Sequence, residues 1–247
     1  MKKIIITGAS RGIGAATAKL AAAAGYSIIV NYNNSKAAAE AVVESIRASG
    51  GTAEPIRANI AAEAEILAMF EAVGAMPGEL YGLVNNAGIL ETQMRLKDMQ
   101  VDRLTRIFTA NITGQFICAR EAVKRMSLKE GGKGGAIVNV SSVAAKTGSP
   151  NEYLDYAASK GAIDSFTIGL AKEVADEGIR VNGVRPGFIY TDIHADGGEP
   201  GRVDRLKDSI PLKRGGTVEE VAEAIVWLLS EKSSYSTGTF IDVSGGR

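Results

Sequence analysis

The sequence predicts an α/β fold, a single-domain Rossmann-like doubly wound parallel sheet of about seven strands flanked by helices. Three observations predict it. Short runs rich in Ile, Val and Leu alternate with helix-length segments along the chain. Several of those runs, such as Ile4-Ile-Ile6 and Ile28-Ile-Val30, are nearly unbroken, as strands buried on both faces require. A glycine-rich turn, Thr7-Gly-Ala-Ser-Arg-Gly-Ile-Gly14, joins the first run to the first helical segment.

Taken in order, strands are expected at 3–7, 27–32, 53–58, 80–85, 135–140, 179–185 and 239–243. Helical patterns fill roughly 12–25, 35–49, 62–75, 98–127, 153–177 and 217–230. Gly25, Gly50-Gly51 and Gly178 stand where helices should stop, because glycine accepts the left-handed backbone found there. Thr217-Val-Glu-Glu220 has the spacing of a capping box, in which hydroxyl and carboxylate each satisfy a free backbone N–H. Gly131-Gly-Lys-Gly-Gly135 is too short to link two domains, so one domain over residues 1–247 is expected. The stretch 189–212 breaks the rhythm: it is polar and glycine-rich, with a weak helix near 202–210. So long a connection after a strand predicts a substrate lid.

Composition narrows the function. Of 247 residues 45% are apolar and 23% charged, with 28 Lys+Arg balancing 28 Asp+Glu, so no nucleic-acid surface is indicated. No run reaches the ~18 apolar residues of a membrane span. The opening Met1-Lys-Lys followed by Ile4-Ile-Ile6 is cut short by Thr7-Gly8 and Arg11, unlike a secretion signal. One cysteine, Cys118, excludes an internal disulfide, and with one histidine a Cys/His zinc site is not expected. These features predict a cytoplasmic protein without a metal.

The chemistry is concentrated in two places. Glycines in the first turn let the backbone approach a pyrophosphate that the helix N-terminus attracts, so Gly8, Ser10, Gly12, Ile13 and Gly14 are candidate cofactor contacts. After the second strand the sequence runs Asn31-Tyr-Asn-Asn-Ser35, without the carboxylate that would hold a ribose 2′-hydroxyl. Arg11 in the turn, with Asn31, Asn33 and Asn34, suits a 2′-phosphate, so NADP is expected ahead of NAD. The second place is Tyr156-Ala-Ala-Ser-Lys160, with a phenol and an ammonium four apart on one helix face. A nearby cation favours the phenolate, which predicts a lowered phenol pKa and a proton donor and acceptor.

Together the glycine turn, Asn85-Asn-Ala-Gly88, Asn111, Ser142, the Tyr156–Lys160 pair and Arg185-Pro-Gly187 resemble the short-chain dehydrogenase/reductase family over essentially the whole chain. Within that family the chain resembles the branch of 3-oxoacyl-carrier-protein reductases and bacterial glucose dehydrogenases. The resemblance implies Tyr156 as general acid or base, with Lys160 binding the nicotinamide ribose and lowering the phenol pKa. It also implies Ser142 on the substrate oxygen, Asn111 in a water relay, and Asn86, Ala87 and Gly88 beside the cofactor. Thr191 would hold the carboxamide, while Pro186, Gly187 and Ile189 would line the nicotinamide face. Ser141 is the reserve for Ser142, and Tyr153 is set aside because it lacks the lysine. Asn59-Ile60 stands where the family often has an aspartate, so Asn59 is expected to accept from adenine. The loop before Tyr156 is slightly longer than in typical acyl-carrier reductases.

The implied reaction moves hydride between NADPH and a small-molecule carbonyl or secondary alcohol in a homotetramer, with α-helical residues 218–229 and the last strand at one interface. A non-catalytic NADP sensor is the reading from another class. A basic patch of Lys124, Arg125, Lys129, Lys133 and Lys172 would suit an acidic carrier protein, whereas sugars and small ketones need none. His194 is expected on the lid surface, Cys118 in packing, and Trp227 in the core or at an interface.

Overall fold

The computed structural model describes residues 1–247. Strand β1 (Lys2–Ile6) leads through helix α1 (Gly12–Ala23) to β2 (Ser27–Tyr32), α2 (Lys36–Ala48), β3 (Thr52–Arg57), α3 (Glu63–Ala75) and β4 (Glu79–Asn85). Helices α4 (Val101–Phe108) and α5 (Gly114–Met126) precede β5 (Gly135–Val140), the short α6 (Ala144–Thr147), α7 (Leu154–Glu173) and β6 (Ile179–Pro186). Two short helices, α8 (Ile193–Asp196) and α9 (Arg202–Leu206), are followed by α10 (Val218–Leu229) and β7 (Phe240–Val243). All seven strands pair in parallel in the order β3-β2-β1-β4-β5-β6-β7.

The unbroken apolar strands have the expected cause. Ile4, Ile6, Ile28 and Val30 pack into one core with α1, α2 and α10, while Ile5, Ile29, Leu83 and Val181 enter a second with Phe70, Cys118 and Ala122. Alternate residues of one strand thus feed opposite layers, and both must be apolar. Cys118 is fully buried, and burial pushes its thiol pKa up to about 12.

Local signals hold at several helix ends. Thr217 and Glu220 form the reciprocal capping box, and Gly25, Gly50 and Gly178 have positive φ. The helix expected over 98–127 is divided instead. A single π turn at Thr109–Thr113 separates α4 from α5. Asn111 occupies that turn with its side chain bonded to the backbone of Ile89, a partner no sequence period reveals. In the 189–212 stretch, the helix expected over 202–210 is α9 followed by one 3₁₀ turn at Lys207–Ser209. No helix is long and apolar enough to cross a membrane.

Candidate active site

Crossovers from β1 and β4 run to opposite sides, which leaves a crevice beyond the strand ends at the switch point of the sheet. A cleft of about 630 Å³ opens there. Gly8, Ser10, Arg11, Gly12 and Ile13 line it at one end and Ser142, Tyr153, Tyr156 and Lys160 at the other. Ala58, Asn59, Ile60, Asn86, Ala87 and Gly88 form further wall, as do Pro186, Gly187, Ile189 and Thr191.

The glycine turn is shaped from behind. Thr7 Oγ1 accepts from the N–H groups of Asn86 and Ala87 at 3.0 Å each, and Asn86 Nδ2 donates to the carbonyls of Thr7 and Gly8 at 2.8 and 3.1 Å. Gly14 does not line the cleft; a Cβ there would lie 2.5 Å from Gly8 O and 2.6 Å from Asn86 Nδ2, so its part is close packing. No side chain caps the start of α1. The dipole and free N–H groups there fit an anionic pyrophosphate.

At the adenosine end one expectation changes. Asn31 is buried, with its oxygen accepting from Gly8 N at 3.1 Å and its amide donating to Ala58 O at 3.0 Å. Its polar atoms are spent on the backbone, so it supports the turn rather than facing a phosphate. Asn33, Asn34 and Ser35 are exposed along the cleft with Arg11. Asn59 Oδ1 accepts from Ala61 N at 2.9 Å.

At the other end α7 presents Tyr156 and Lys160 one turn apart. Lys160 is almost fully buried, donates to Val140 O at 2.7 Å, and holds its Nζ 5.5 Å from the Tyr156 ring centre. Ser142 Oγ accepts from Ala144 N at 3.1 Å beside them. Ser141 is committed elsewhere, donating to Asp164 at 2.6 Å, and Tyr153 donates to Gly197 O at 3.1 Å. The first bond occupies the reserve candidate Ser141, and the second gives Tyr153, already set aside, a partner of its own.

The electrostatics reverse the expected phenol shift. Burial pushes Tyr156 up to about 12, against which hydrogen bonding with Ser142 works only in part. Burial also pushes Lys160 down to about 8, with Asp164 opposing. Burial is the largest influence on both groups and favours the uncharged form of each.

Asn111 lies behind the pair and off the cleft wall. Its Oδ1 accepts from Ile89 N at 2.8 Å and its Nδ2 donates to Ser159 Oγ at 3.3 Å. A Cβ on Gly88 would sit 3.3 Å from Asn111 Oδ1 and 3.7 Å from Lys160 Nζ, so both side chains lie beside this glycine.

Several ion pairs at the site are not visible in the sequence, where Asp196, Glu199 and Arg202 read only as mixed charges of the 189–212 stretch. Arg103 and Asp155 form a buried ion pair at 2.6 Å. Arg202 is buried between Glu152 and Glu199, at 2.5 and 2.9 Å. Asp196 pairs with Arg11 at 2.5 Å. Each is a charge on an otherwise amphipathic or polar segment, where the sequence pattern reads as a solvated face. His194 is half-buried rather than a surface residue; its Nε2 donates to Ile189 O at 3.0 Å, and burial lowers its pKa. In the expected basic patch, Lys129 pairs with Asp176, Lys133 with Glu79, and Lys124 and Arg125 with Glu121.

A family model described as enoyl-(acyl carrier protein) reductase matches residues 8–247. An uncharacterized oxidoreductase of Escherichia coli (strain K12), YgfF, is 59% identical over 98% of each chain.

This chain is a short-chain dehydrogenase/reductase.

A 3-oxoacyl-[acyl-carrier-protein] reductase FabG of Staphylococcus aureus (strain Mu50 / ATCC 700699) is 40% identical over 99% of this chain and 97% of the relative. A short-chain type dehydrogenase/reductase from Mycobacterium marinum superposes with a TM-score of 0.92 at 33% identity, covering 99% of this chain and 94% of that one. The promiscuous reductase LugOII, which catalyses keto-reduction at C1 during lugdunomycin biosynthesis, gives 0.89 at 32% identity, covering 99% and 97%. This short-chain dehydrogenase/reductase is therefore an oxidoreductase acting on carbonyl or CH–OH groups, and its family binds NAD(P).

Proposed function

We propose that this reductase takes NADP(H) and interconverts a small-molecule ketone and its secondary alcohol, with Tyr156 as the group that gives or takes the proton. The observation that carries the reading is the meeting of Tyr156, Ser142 and Lys160 in the same cleft as the uncapped glycine turn. A bound nicotinamide supplies the hydride chemistry; the chain supplies orientation and the proton. Ser142 holds the substrate oxygen beside the Tyr156 hydroxyl, and Lys160 binds the nicotinamide ribose. Asn111 steadies a water behind Lys160, an assignment supported by the position of both side chains beside Gly88. Arg11, with Asn33 and Asn34, favours the 2′-phosphate because no carboxylate follows β2 in the sequence. Thr191 takes the carboxamide, the second lone pair of Asn59 Oδ1 accepts from the adenine amine, and residues 189–212 close over the substrate as a lid.

A free small carbonyl compound fits better than a carrier-linked one. The basic residues that would meet an acidic carrier are interspersed with Glu71, Glu79, Glu121, Asp176 and Glu177, so that face offers no clear positive patch. We also assign a homotetramer, supported by exposed Trp227 on α10 and by the exposed Phe116 and Ile168 on α5 and α7, and a cytoplasmic location, in keeping with the single cysteine.

The test is cofactor oxidation or reduction against a panel of ketones, aldoses and carrier-linked 3-oxoacyl groups. Turnover of free ketones with NADPH is the expected result; cofactor binding without turnover on any carbonyl or alcohol supports a sensor instead. The pH profile adds a second measurement. A phenol held near 12 keeps its proton at neutral pH, so reduction should stay level below about 8 and fall above, where Lys160 loses its charge. Alcohol oxidation needs the phenolate and should climb with pH over the neutral range. Oxidation that declined between pH 6 and 8 would remove the phenol from the role of base.

A further inference from the structure

One ion pair joins the glycine turn to the 189–212 stretch across the cleft. Arg11, in the glycine turn, bonds Asp196, the last residue of α8, through Nη2 and Oδ2 at 2.5 Å. Both side chains are about half exposed, so the pair can open at little cost. The next residue, Gly197, is fixed on the substrate side. Its carbonyl accepts from Tyr153 Oη at 3.1 Å, and a Cβ there would lie 2.7 Å from Leu90 Cδ2. The segment is therefore tied at one end to the loop before Tyr156 and at the other to the guanidinium that faces the adenosine end.

We propose that Asp196 is a specificity-determining residue that competes with the cofactor's 2′-phosphate for Arg11, so that NADP(H), and not NAD(H), releases this end of the lid. The inference rests on the NADP reading above. A carboxylate carries one negative charge, whereas a phosphate monoester carries about 1.5 to 2 near neutral pH and offers three acceptor oxygens. Arg11 forms no other ion pair, while Arg202, the other paired guanidinium of the cleft, is held by two glutamates. The phosphate therefore displaces Asp196 from Arg11. A ligand with a 2′-hydroxyl has no charge with which to do so and leaves the pair closed. Gly197 stays pinned by Tyr153, so the released part is the short stretch Ile193–Asp196.

The experiment compares binding of NADP+ and NAD+ to wild type, Asp196→Asn, Arg11→Met and the double variant by calorimetry. Hydrogen exchange at residues 193–196 is followed in parallel. Removing the competing carboxylate should tighten NADP+ binding roughly two- to five-fold, the range of an exposed ion pair, and leave NAD+ unchanged. In the Arg11→Met background Asp196→Asn should have no effect on either cofactor. Saturating NADP+ should speed exchange at 193–196 in wild type relative to saturating NAD+. If Arg11→Met weakens NADP+ selectively but Asp196→Asn leaves it unchanged, or tightens both cofactors alike, the competition is wrong while the NADP reading stands. If Arg11→Met weakens neither cofactor selectively, the NADP reading fails and the competition falls with it.

Discussion

Tyr156→Phe should lower kcat/KM for ketone reduction by about 10²- to 10⁴-fold, the usual contribution of a positioned proton donor, while NADP+ binding changes little. The substitution deletes one oxygen from a ring that α7 already holds in place. The fold, the glycine turn and Lys160 keep their contacts, including the Lys160 bond to Val140 O. What disappears is the proton source beside Ser142. Burial keeps that phenol protonated near neutral pH. Tyr153 is the nearest phenol in sequence, and its hydroxyl is given to Gly197 O. Steady-state kinetics with a competent ketone, paired with a calorimetric NADP+ titration, would check the prediction. A variant retaining more than a tenth of wild-type turnover would sink the assignment of Tyr156.

The second large effect concerns stability. Asp155→Ala should destabilise the protein by about 3–5 kcal/mol, because it leaves the Arg103 guanidinium buried without its counter-charge. The pair is sealed, with side-chain exposures of 4% and 0%. Asp155 also accepts from Tyr156 N at 2.9 Å, and Arg103 donates to Thr92 O at 2.6 Å, so the pair ties the start of α7 to the loop after β4. In a chain of this length the loss corresponds to a drop in Tm of roughly 6–20 °C. Replacing both partners, as Arg103→Met with Asp155→Leu, should recover most of it, since an apolar pair of similar volume carries no desolvation cost. Differential scanning calorimetry on the three variants reads the difference. Equal losses in the single and double variants would mean that shape, not charge, holds this junction.

How much of this was legible in the sequence depended on range. The strands were visible because parallel strands buried on both sides demand unbroken apolar runs, and Ile4–Ile6 supplies both cores. Thr217 and Glu220 were visible because a capping box is a local bond with a fixed spacing. The division of α4 from α5 was not, since the cause is a bond from Asn111 to Ile89 across 22 residues. The same holds at the cleft. Tyr156 and Lys160 could be paired from helix spacing, but the direction of the phenol shift could not, because it depends on how deeply the ring is buried. Asn31 looked like a free donor, and only the folded turn shows both ends of its amide occupied. Arg11 was legible as a cation in the glycine turn; its partner Asp196 lies 185 residues away, on a segment whose mixed charges favour no pairing.

The burial of Cys118 has a practical consequence for anyone handling the protein. With one sulfhydryl in the sequence, shut inside a core and reluctant to ionise, the native molecule presents no background to maleimide or iodoacetamide chemistry. A label attached at an engineered surface cysteine reports from that position alone, and slow uptake by an otherwise unmodified sample becomes a clock for how often the interior opens.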